Sequence, residues 1–172
     1  MSCCAVVIDS DENVHYGCEA GLTDKKQFFE RIEKISTLAN GDVVLTVGTV
    51  RGGRKLIYDL EKNQYDLNNL SKEDWFMDKD DEAEAEAIVI KKDASVFWIG
   101  GPFESIELKR PGFYAIGSGG DYAFGVLWHM LSGKKKITAS EAKKAITRAI
   151  ECACALDDNC SLPITIETLE VA

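Results

Sequence analysis

The stretch GFYAIGSGGDYAFGVL, residues 112–127, decides the fold of this chain. Its first five residues are typical of a β-strand, and the glycines that follow predict a tight turn. From Asp121 onward the apolar residues recur with the spacing of a helix, which we expect to end at Gly133. The stretch therefore predicts a strand, a glycine-rich turn and an apolar helix in immediate succession.

A second helix and a last strand follow this stretch. Residues 138–156 begin with Thr138 and Glu141, the T-x-x-E pattern of a capping box. The predicted buried face of this helix consists mostly of small residues, which favours close packing against another helix or a sheet. The segment LPITIETLEV then alternates as a strand does, and Pro163 suits a strand start.

The part of the chain before residue 112 is rich in strand patterns. Two short runs on either side of residues 10–13 predict a β-hairpin with a polar turn. DVVLTVGT is nearly continuous in apolar residues, as expected of a strand buried on both faces, and the run after it predicts a helix. FFERIEKIST fits a strand and a helix about equally. Three further strands are predicted in AIVIKK, SVFWIGG and ESIELK.

The order of these elements predicts an α+β protein. Hairpins dominate and strand–helix–strand crossovers are few, so the sheets should be mainly antiparallel. Two consecutive helices suggest a helical layer on one sheet. We therefore expect one domain over residues 1–172, built as a four-layer αββα sandwich, with an irregular acidic excursion at about residues 64–87.

Composition excludes several classes of function. The net charge of −9 argues against nucleic-acid binding, which requires Lys and Arg for the phosphates. The sequence has no apolar run of about 18 residues and no signal-peptide pattern, so we expect a cytoplasmic protein without a membrane partner. Six cysteines without a C-x-x-C pair, and only two histidines, argue against zinc and predict reduced thiols. No cofactor fingerprint is present, and we expect no cofactor.

The ordered motifs resemble those of a known family. GFYAIGSGGDYAFGVL is similar to the A-I-G-S-G-G-x-Y-A segment of the bacterial HslV peptidase, a simple relative of proteasome β subunits. MSC, VHYGCEAG, RIEKISTL and GDVVLTVGTVRGGR follow that family in the same order. The pattern is most similar to phage and bacterial proteasome-like proteins that begin M-T-C. The resemblance implies the αββα fold of N-terminal nucleophile (Ntn) hydrolases, ring assembly and a possible unfolding ATPase partner.

The same resemblance implies a set of catalytic residues. Ser2 would become N-terminal after removal of Met1 and act as nucleophile, with its α-amine, of pKa near ~8, as base. Cys3 is the alternative nucleophile, one place further in. Lys34 would lower the pKa of the nucleophile, and Glu19 stands where the family carries an orienting Asp. Within the glycine-rich turn, Ser118 and Gly119 match the segment whose N–H groups would stabilise an oxyanion.

Other interpretations of these residues stay open at this stage. The alternative for Ser2 is a merely tolerated terminal residue, and for Cys3 a packed strand residue. For Glu19 and Lys34 the alternative is a pair of ordinary surface charges. In the family, an Asp-x-x-Ser pattern or carbonyl groups near the last helix support the site. Here the carbonyls that could hold a cation are those of Glu151, Cys154 and Asp157. Three functions therefore remain: a peptidase acting on peptides or unfolded proteins, an inactive proteasome-like scaffold, and a non-peptidase amidohydrolase.

Overall fold

A computed structural model describes residues 2–24, 27–31, 33–67, 85–100, 104–109 and 112–171. Within these ranges the chain forms three helices and eleven strands. The helices are α1 (Val50–Lys62), α2 (Gly120–Leu131) and α3 (Ala139–Leu156). The strands are β1 (Cys4–Ile8), β2 (Val14–Glu19), β3 (Gly21–Asp24), β4 (Gln27–Arg31), β5 (Ile35–Thr37), β6 (Val43–Gly48), β7 (Ala85–Ile90), β8 (Val96–Gly100), β9 (Glu104–Glu107), β10 (Gly112–Ile116) and β11 (Ile164–Leu169).

The strands form two main sheets and one separate hairpin. The four-stranded sheet has the order β10-β1-β2-β11, and the five-stranded sheet has the order β5-β6-β7-β8-β9. β3 and β4 pair only with each other. Each described pair is antiparallel, in agreement with the hairpin-rich sequence.

Alternation along the strands divides the protein into layers. Cys4, Val6 and Ile8 of β1 face the five-stranded sheet, where they pack against residues such as Leu45 and Ile88. The intervening positions of β1 face the opposite way, into a cluster formed with α2 and α3. A third cluster joins the outer face of the five-stranded sheet to α1. The predicted αββα sandwich is therefore confirmed, with α2 and α3 forming one outer layer and α1 the other.

Local signals in the sequence explain how the elements begin. The Thr138 hydroxyl accepts the N–H of Glu141, and the Glu141 carboxylate accepts the N–H of Thr138, so the predicted capping box is present. The hairpin around residues 10–13 joins β1 and β2 in the predicted place. Within the described ranges, none of the helices is long and apolar enough to cross a membrane.

The structure also departs from the sequence reading. The ambiguous FFERIEKIST forms strands: its first four residues belong to β4, and its last three are the whole of β5. The expectation of reduced thiols does not hold for Cys4 and Cys18. They lie opposite each other in β1 and β2, with a Cα–Cα distance of 4.2 Å, and form a disulfide. Most of the predicted excursion, residues 68–84, lies outside the described residues.

Candidate active site

The candidate site lies where the chain enters β1. Ser2 and Cys3 are buried there and are held by backbone bonds on both sides. The Cys3 carbonyl accepts the N–H of Glu19 at 3.2 Å, which extends the pairing of β1 with β2. The Ser2 carbonyl accepts the N–H of Gly119 at 3.3 Å, from the turn before α2. The start of the chain is thus fixed between the end of one strand and the beginning of a helix.

A buried ion pair lies beside this entry point. Glu19 is fully buried at the end of β2, and its Oε1 binds the Nζ of Lys34. The Lys34 ammonium also donates to the Gly21 carbonyl at 2.7 Å. Three backbone N–H groups point at the same carboxylate: Gly21 at 2.7 Å and Ser161 at 3.4 Å to Oε2, and Cys3 at 3.4 Å to Oε1. Such complete pairing is what allows a charged pair to be buried.

The glycines of the turn before α2 are required by close approach. Gly117 has a φ of +92°, and a Cβ built on it would lie 2.1 Å from the Ser2 carbonyl oxygen. A Cβ on Gly119 would lie 2.8 Å from the Sγ of Cys160 and 3.1 Å from the Cβ of Cys3. The turn can therefore pack directly against the start of β1 only because these positions carry no side chain.

The segment between α3 and β11 supplies a second carboxylate. Burial acts to raise the pKa of Asp157, but hydrogen bonds from Ser118, Asn159 and Cys160 outweigh it and hold that pKa below its usual value. The bond to Ser118 ties this segment to the glycine-rich turn. Ser161, four residues further on, donates its N–H to Glu19, and its own hydroxyl is buried without a hydrogen-bond partner among the described residues.

Three thiols surround the start of β1. Burial, together with the nearby Cys154 and Glu19, raises the pKa of Cys3 to about 12, and Lys34 acts in the opposite direction. Burial likewise raises the pKa of Cys154 to about 11 and raises that of Cys160 further. In the intact chain these thiols are protonated at neutral pH, so none of them is a ready nucleophile.

Solved structures with this architecture provide the comparison. BPH from Thiobacillus denitrificans superposes with a TM-score of 0.72 at 15% identity, covering 99% of this chain and 98% of BPH. Eukaryotic HslV from Trypanosoma brucei gives 0.73 at 20% identity, with 98% and 99% covered. Anbu, an ancestral β-subunit from Yersinia bercovieri, gives 0.74 at 13% identity, with 96% of this chain and 80% of Anbu covered.

The chain has the fold of HslV. The likeness extends over nearly the whole chain, so the αββα sandwich is shared from the first strand to the last. Identities this low establish the shared fold and leave the chemistry to the residues of this chain. No protein-family model and no curated protein matches the sequence.

Within the HslV-like sandwich, a cleft borders the ion pair. It has a volume of about 930 Å³ and runs past the edge strands of the two sheets. Its lining includes Glu19, Lys34, Ser36, Thr37, Thr165 and Glu167. Both members of the ion pair, Glu19 and Lys34, therefore lie at the wall of this cleft.

The structure brings most of the sequence-predicted site residues together. Ser2, Cys3, Glu19, Ser118 and Gly119 meet around the start of β1, and Lys34 reaches them through Glu19. In the intact chain Gly119 is not free for its predicted role as an oxyanion donor, because its N–H is bonded to the Ser2 carbonyl. Neither Glu19 nor Lys34 is a solvated surface charge, which was the alternative interpretation of both.

Sequence reasoning missed two groups at the site. The resemblance points only to the backbone carbonyl of Asp157, yet it is the side-chain carboxylate that binds Ser118. The Ser161 N–H bond to Glu19 was not foreseen. The usable signal was the spacing D-x-x-C from Asp157 to Cys160, which resembles the supporting Asp-x-x-Ser pattern with a thiol in place of the hydroxyl.

Of the three carbonyls that the resemblance suggests for a cation, that of Asp157 is already bonded. It accepts the N–H of Cys160 at 3.0 Å, and Glu151 and Cys154 lie in the last turns of α3. In the described ranges, no group of three or more His, Cys, Asp and Glu side chains has the arrangement of a metal site.

Proposed function

We propose that this chain is an N-terminal nucleophile peptidase subunit and that its intact form is a precursor. The observation that carries the proposal is the Glu19–Lys34 pair, buried at the start of β1 and in contact with the backbone of Cys3. Burying a charged pair costs free energy on folding, because both groups lose their hydration. Here it lies beside the part of the chain that an Ntn hydrolase uses for catalysis.

The geometry supports Cys3 better than Ser2 as the nucleophile. An Ntn nucleophile must present both its main-chain nitrogen and its side chain to the charged pair. The Cys3 nitrogen lies 3.4 Å from Glu19 Oε1, the oxygen that also binds Lys34. The Cys3 thiol is close enough to Lys34 for the ammonium to lower its pKa. Ser2 contributes a carbonyl that is already bound by Gly119.

Removal of Met1 and Ser2 would activate this arrangement. It would free the Cys3 α-amine and release the Gly119 N–H from the Ser2 carbonyl. The Lys34 ammonium acts to lower the pKa of the Cys3 thiol, and an α-amine titrates near ~8. Gly119 could then serve as an oxyanion donor. Removal of Met1 alone would instead make Ser2 N-terminal, with its hydroxyl as nucleophile.

The reaction balances with these groups. The Cys3 sulfur bonds to a peptide carbonyl carbon while its proton passes to the α-amine. The C–N bond then breaks, and the departing amine takes that proton. Water, deprotonated by the α-amine, hydrolyses the thioester and restores the thiol. Lys34 stabilises the thiolate, and Glu19 orients Lys34. The proposed substrates are peptides or unfolded proteins that lie in the adjacent cleft. We further propose that the subunits assemble into a ring in the cytoplasm and that an unfolding ATPase is their partner.

A second candidate function is a non-catalytic scaffold with the same fold. It is favoured by the occupied N–H of Gly119 and by the buried, protonated thiol of Cys3. The presence of Glu at position 19, where the family carries Asp, also favours the scaffold. If Met1 and Ser2 are retained in the mature protein, the amine needed for catalysis does not exist and the scaffold is the function.

Intact-mass measurement of the protein purified from its native source tests both candidates. The peptidase proposal expects loss of Met1 and Ser2, followed by labelling of Cys3 with a vinyl sulfone or with epoxomicin, which has been solved in complex with BPH. Lys34→Met should abolish labelling. Cys152→Ser, at a half-buried free thiol of α3, should leave it unchanged. A mature protein that keeps Met1, or a processed protein that no probe labels, would refute the peptidase.

A further inference from the structure

On the side of β9 and β10 the two sheets open into a second groove. These two strands lie at the ends of their sheets, on the opposite edge of the sandwich from β5 and β11, which border the cleft beside the ion pair. The groove has a volume of about 390 Å³, at the small end of the range for ligand sites. Among the described residues, it shares none of its lining with that cleft. The side chains that line it include those of Glu86, Trp98, Ile106, Leu108, Tyr114 and Asp121.

The walls of this groove are largely aromatic and apolar. Trp98 comes from the five-stranded sheet and Tyr114 from the four-stranded sheet, and both pack against the core between the sheets while staying half-buried. Ile106 lies opposite Trp98 in the pairing of β8 with β9, and it is 47% exposed. Apolar surface is therefore left open to solvent in a concave place. The faces of aromatic rings attract cations, Trp most strongly, so these walls suit a positively charged group on an apolar body.

Two carboxylates border the same groove. Glu86, near the start of β7, is half-buried and lies on the same side of its strand as Ile88, which faces the space between the sheets. Its Oε2 accepts the N–H of Gly117 at 3.4 Å. Asp121 is exposed at the start of α2. In the part of the chain that the structure describes, neither carboxylate forms an ion pair.

The lack of a cationic partner distinguishes Glu86 from other carboxylates inside the protein. Glu19, Asp42 and Asp59 are buried, and each of them binds a lysine. A carboxylate that is partly removed from water beside apolar groups loses hydration, and a cation supplied by a ligand would compensate for that loss. The charge and the aromatic walls of the groove thus favour the same kind of occupant.

We propose that this groove binds a small organic cation, an ammonium or guanidinium group carried on an apolar body. The cationic group would lie between the Glu86 carboxylate and the rings of Trp98 and Tyr114, with the apolar body along Ile106 and Leu108. The volume favours a small molecule over a protein, because a stable protein partner covers about 800 Å² of surface. The net charge of −9 raises the local concentration of cations and repels anions. The proposal does not depend on peptidase activity.

Three ligands with the same apolar body test the role of charge. Phenylbutylamine, phenylbutanol and phenylbutyrate are titrated separately into the full chain at pH 7 in a calorimeter. The amine should bind with a dissociation constant below about 1 mM, the neutral alcohol at least about tenfold more weakly, and the acid most weakly of all. An amine that binds no more tightly than the alcohol, or that does not bind below about 1 mM, would overturn the proposal.

Matched variants locate the binding to this groove. Glu86→Gln should weaken binding of the amine by about tenfold or more and leave that of the alcohol unchanged, whereas Trp98→Leu should weaken both. Asp121→Asn, at an exposed position, should weaken the amine by about threefold without disturbing the core. The control is Glu107→Gln, which removes the same charge from the exposed opposite side of β9.

The outcome of these titrations is decisive for the site. Unchanged melting temperatures of the ligand-free variants confirm that they fold, and if Glu86→Gln does not fold, Asp121→Asn still tests the charge. Unchanged affinity for the amine in Glu86→Gln, or in Asp121→Asn where only that variant folds, would overturn the proposal. An equal loss in Glu107→Gln would also overturn it, because the amine would then be attracted only by the overall negative charge.

Discussion

The buried pair of Glu19 and Lys34 predicts an asymmetry between its two partners. When Lys34 is replaced by Met, the carboxylate of Glu19 stays buried, but the N–H groups of Gly21, Cys3 and Ser161 still point at it. When Glu19 is replaced by Gln, the Lys34 ammonium loses the carboxylate that it pairs with and keeps only neutral acceptors, the Gly21 carbonyl and the single oxygen of the new amide. The three N–H groups then face a neutral amide. Glu19→Gln should therefore lower the free energy of unfolding more than Lys34→Met does.

The magnitude follows from the contacts. Removing one partner of a buried ion pair costs about 3–5 kcal/mol of unfolding free energy. Lys34→Met should lie at the low end, about 3 kcal/mol, because hydrogen bonds to a charged group are each worth about 1.5–3 kcal/mol and survive in part. Glu19→Gln should lie at the high end, about 5 kcal/mol. For a chain of this length the melting temperature falls by about 2–4 °C per kcal/mol. The double variant should recover most of the loss, since neither charge is then left unpaired.

Urea unfolding at pH 7, followed by tryptophan fluorescence, measures all four proteins in one cycle. The expected result is a coupling energy of about 3 kcal/mol or more and a larger loss for Glu19→Gln than for Lys34→Met. If Glu19→Gln does not fold, the double variant still tests the reasoning, because it should be recovered as folded protein. Equal losses in the two single variants, or losses below about 1 kcal/mol, would show that the pair is solvated and refute the argument.

Four further outcomes follow from the same contacts. Gly119→Ala should lower the unfolding free energy by about 1–3 kcal/mol in a thermal melt, because its methyl group meets the Sγ of Cys160 at 2.8 Å; an unchanged melt would contradict the close packing. Gly125→Ala, in the middle of α2, should raise the free energy of unfolding by about 1 kcal/mol in urea unfolding, because a Cβ at this position meets nothing within 4 Å. A lower free energy of unfolding would contradict this. Thr138→Ala should cost about 1 kcal/mol in the same assay through loss of the capping box, whereas Thr138→Ser should not. The free energy of unfolding should fall above about pH 9, because thiols of the unfolded chain ionise there while Cys3 and Cys160, whose pKa values are raised, stay protonated. The fall is at most about 1.4 kcal/mol per pH unit for each thiol. Cys3→Ala should reduce this slope in urea unfolding from pH 8 to 10, and an unchanged slope would contradict the reasoning.

Elements with strong local signals could be predicted from the sequence. The hairpin of β1 and β2, the apolar run of β6 and the capping box of α3 each depend on neighbouring residues, and each lies where it was predicted. FFERIEKIST could not be assigned because short segments at a sheet edge obey neither period clearly. The Cys4–Cys18 disulfide required the register of β1 against β2, which no local pattern specifies.

The candidate site was predictable only in part, because it depends on contacts between segments that are distant in the sequence. The family resemblance pointed to Glu19 and Lys34, which form an ion pair, and their catalytic roles stay a prediction. The bond between Ser118 and Asp157 joins two loops that are far apart in the sequence, and a single sequence does not show that they meet. The occupied N–H of Gly119 depends on how β10 lies beside β1, which again is a matter of register.

Strand alternation gives the sharpest reason to regard Cys3 as the reactive residue. Cys4 faces the core between the sheets, where it is bonded to Cys18. Cys3 therefore faces the other way, toward α2 and α3, on the side where the glycine-rich turn and Cys160 lie. Its direction continues the pleat of β1, because the Cys3 carbonyl already pairs with the N–H of Glu19 at the end of β2. A nucleophile at Ser2 would sit one residue before this pleat, and its side chain would have to find the same partners without the support of β1.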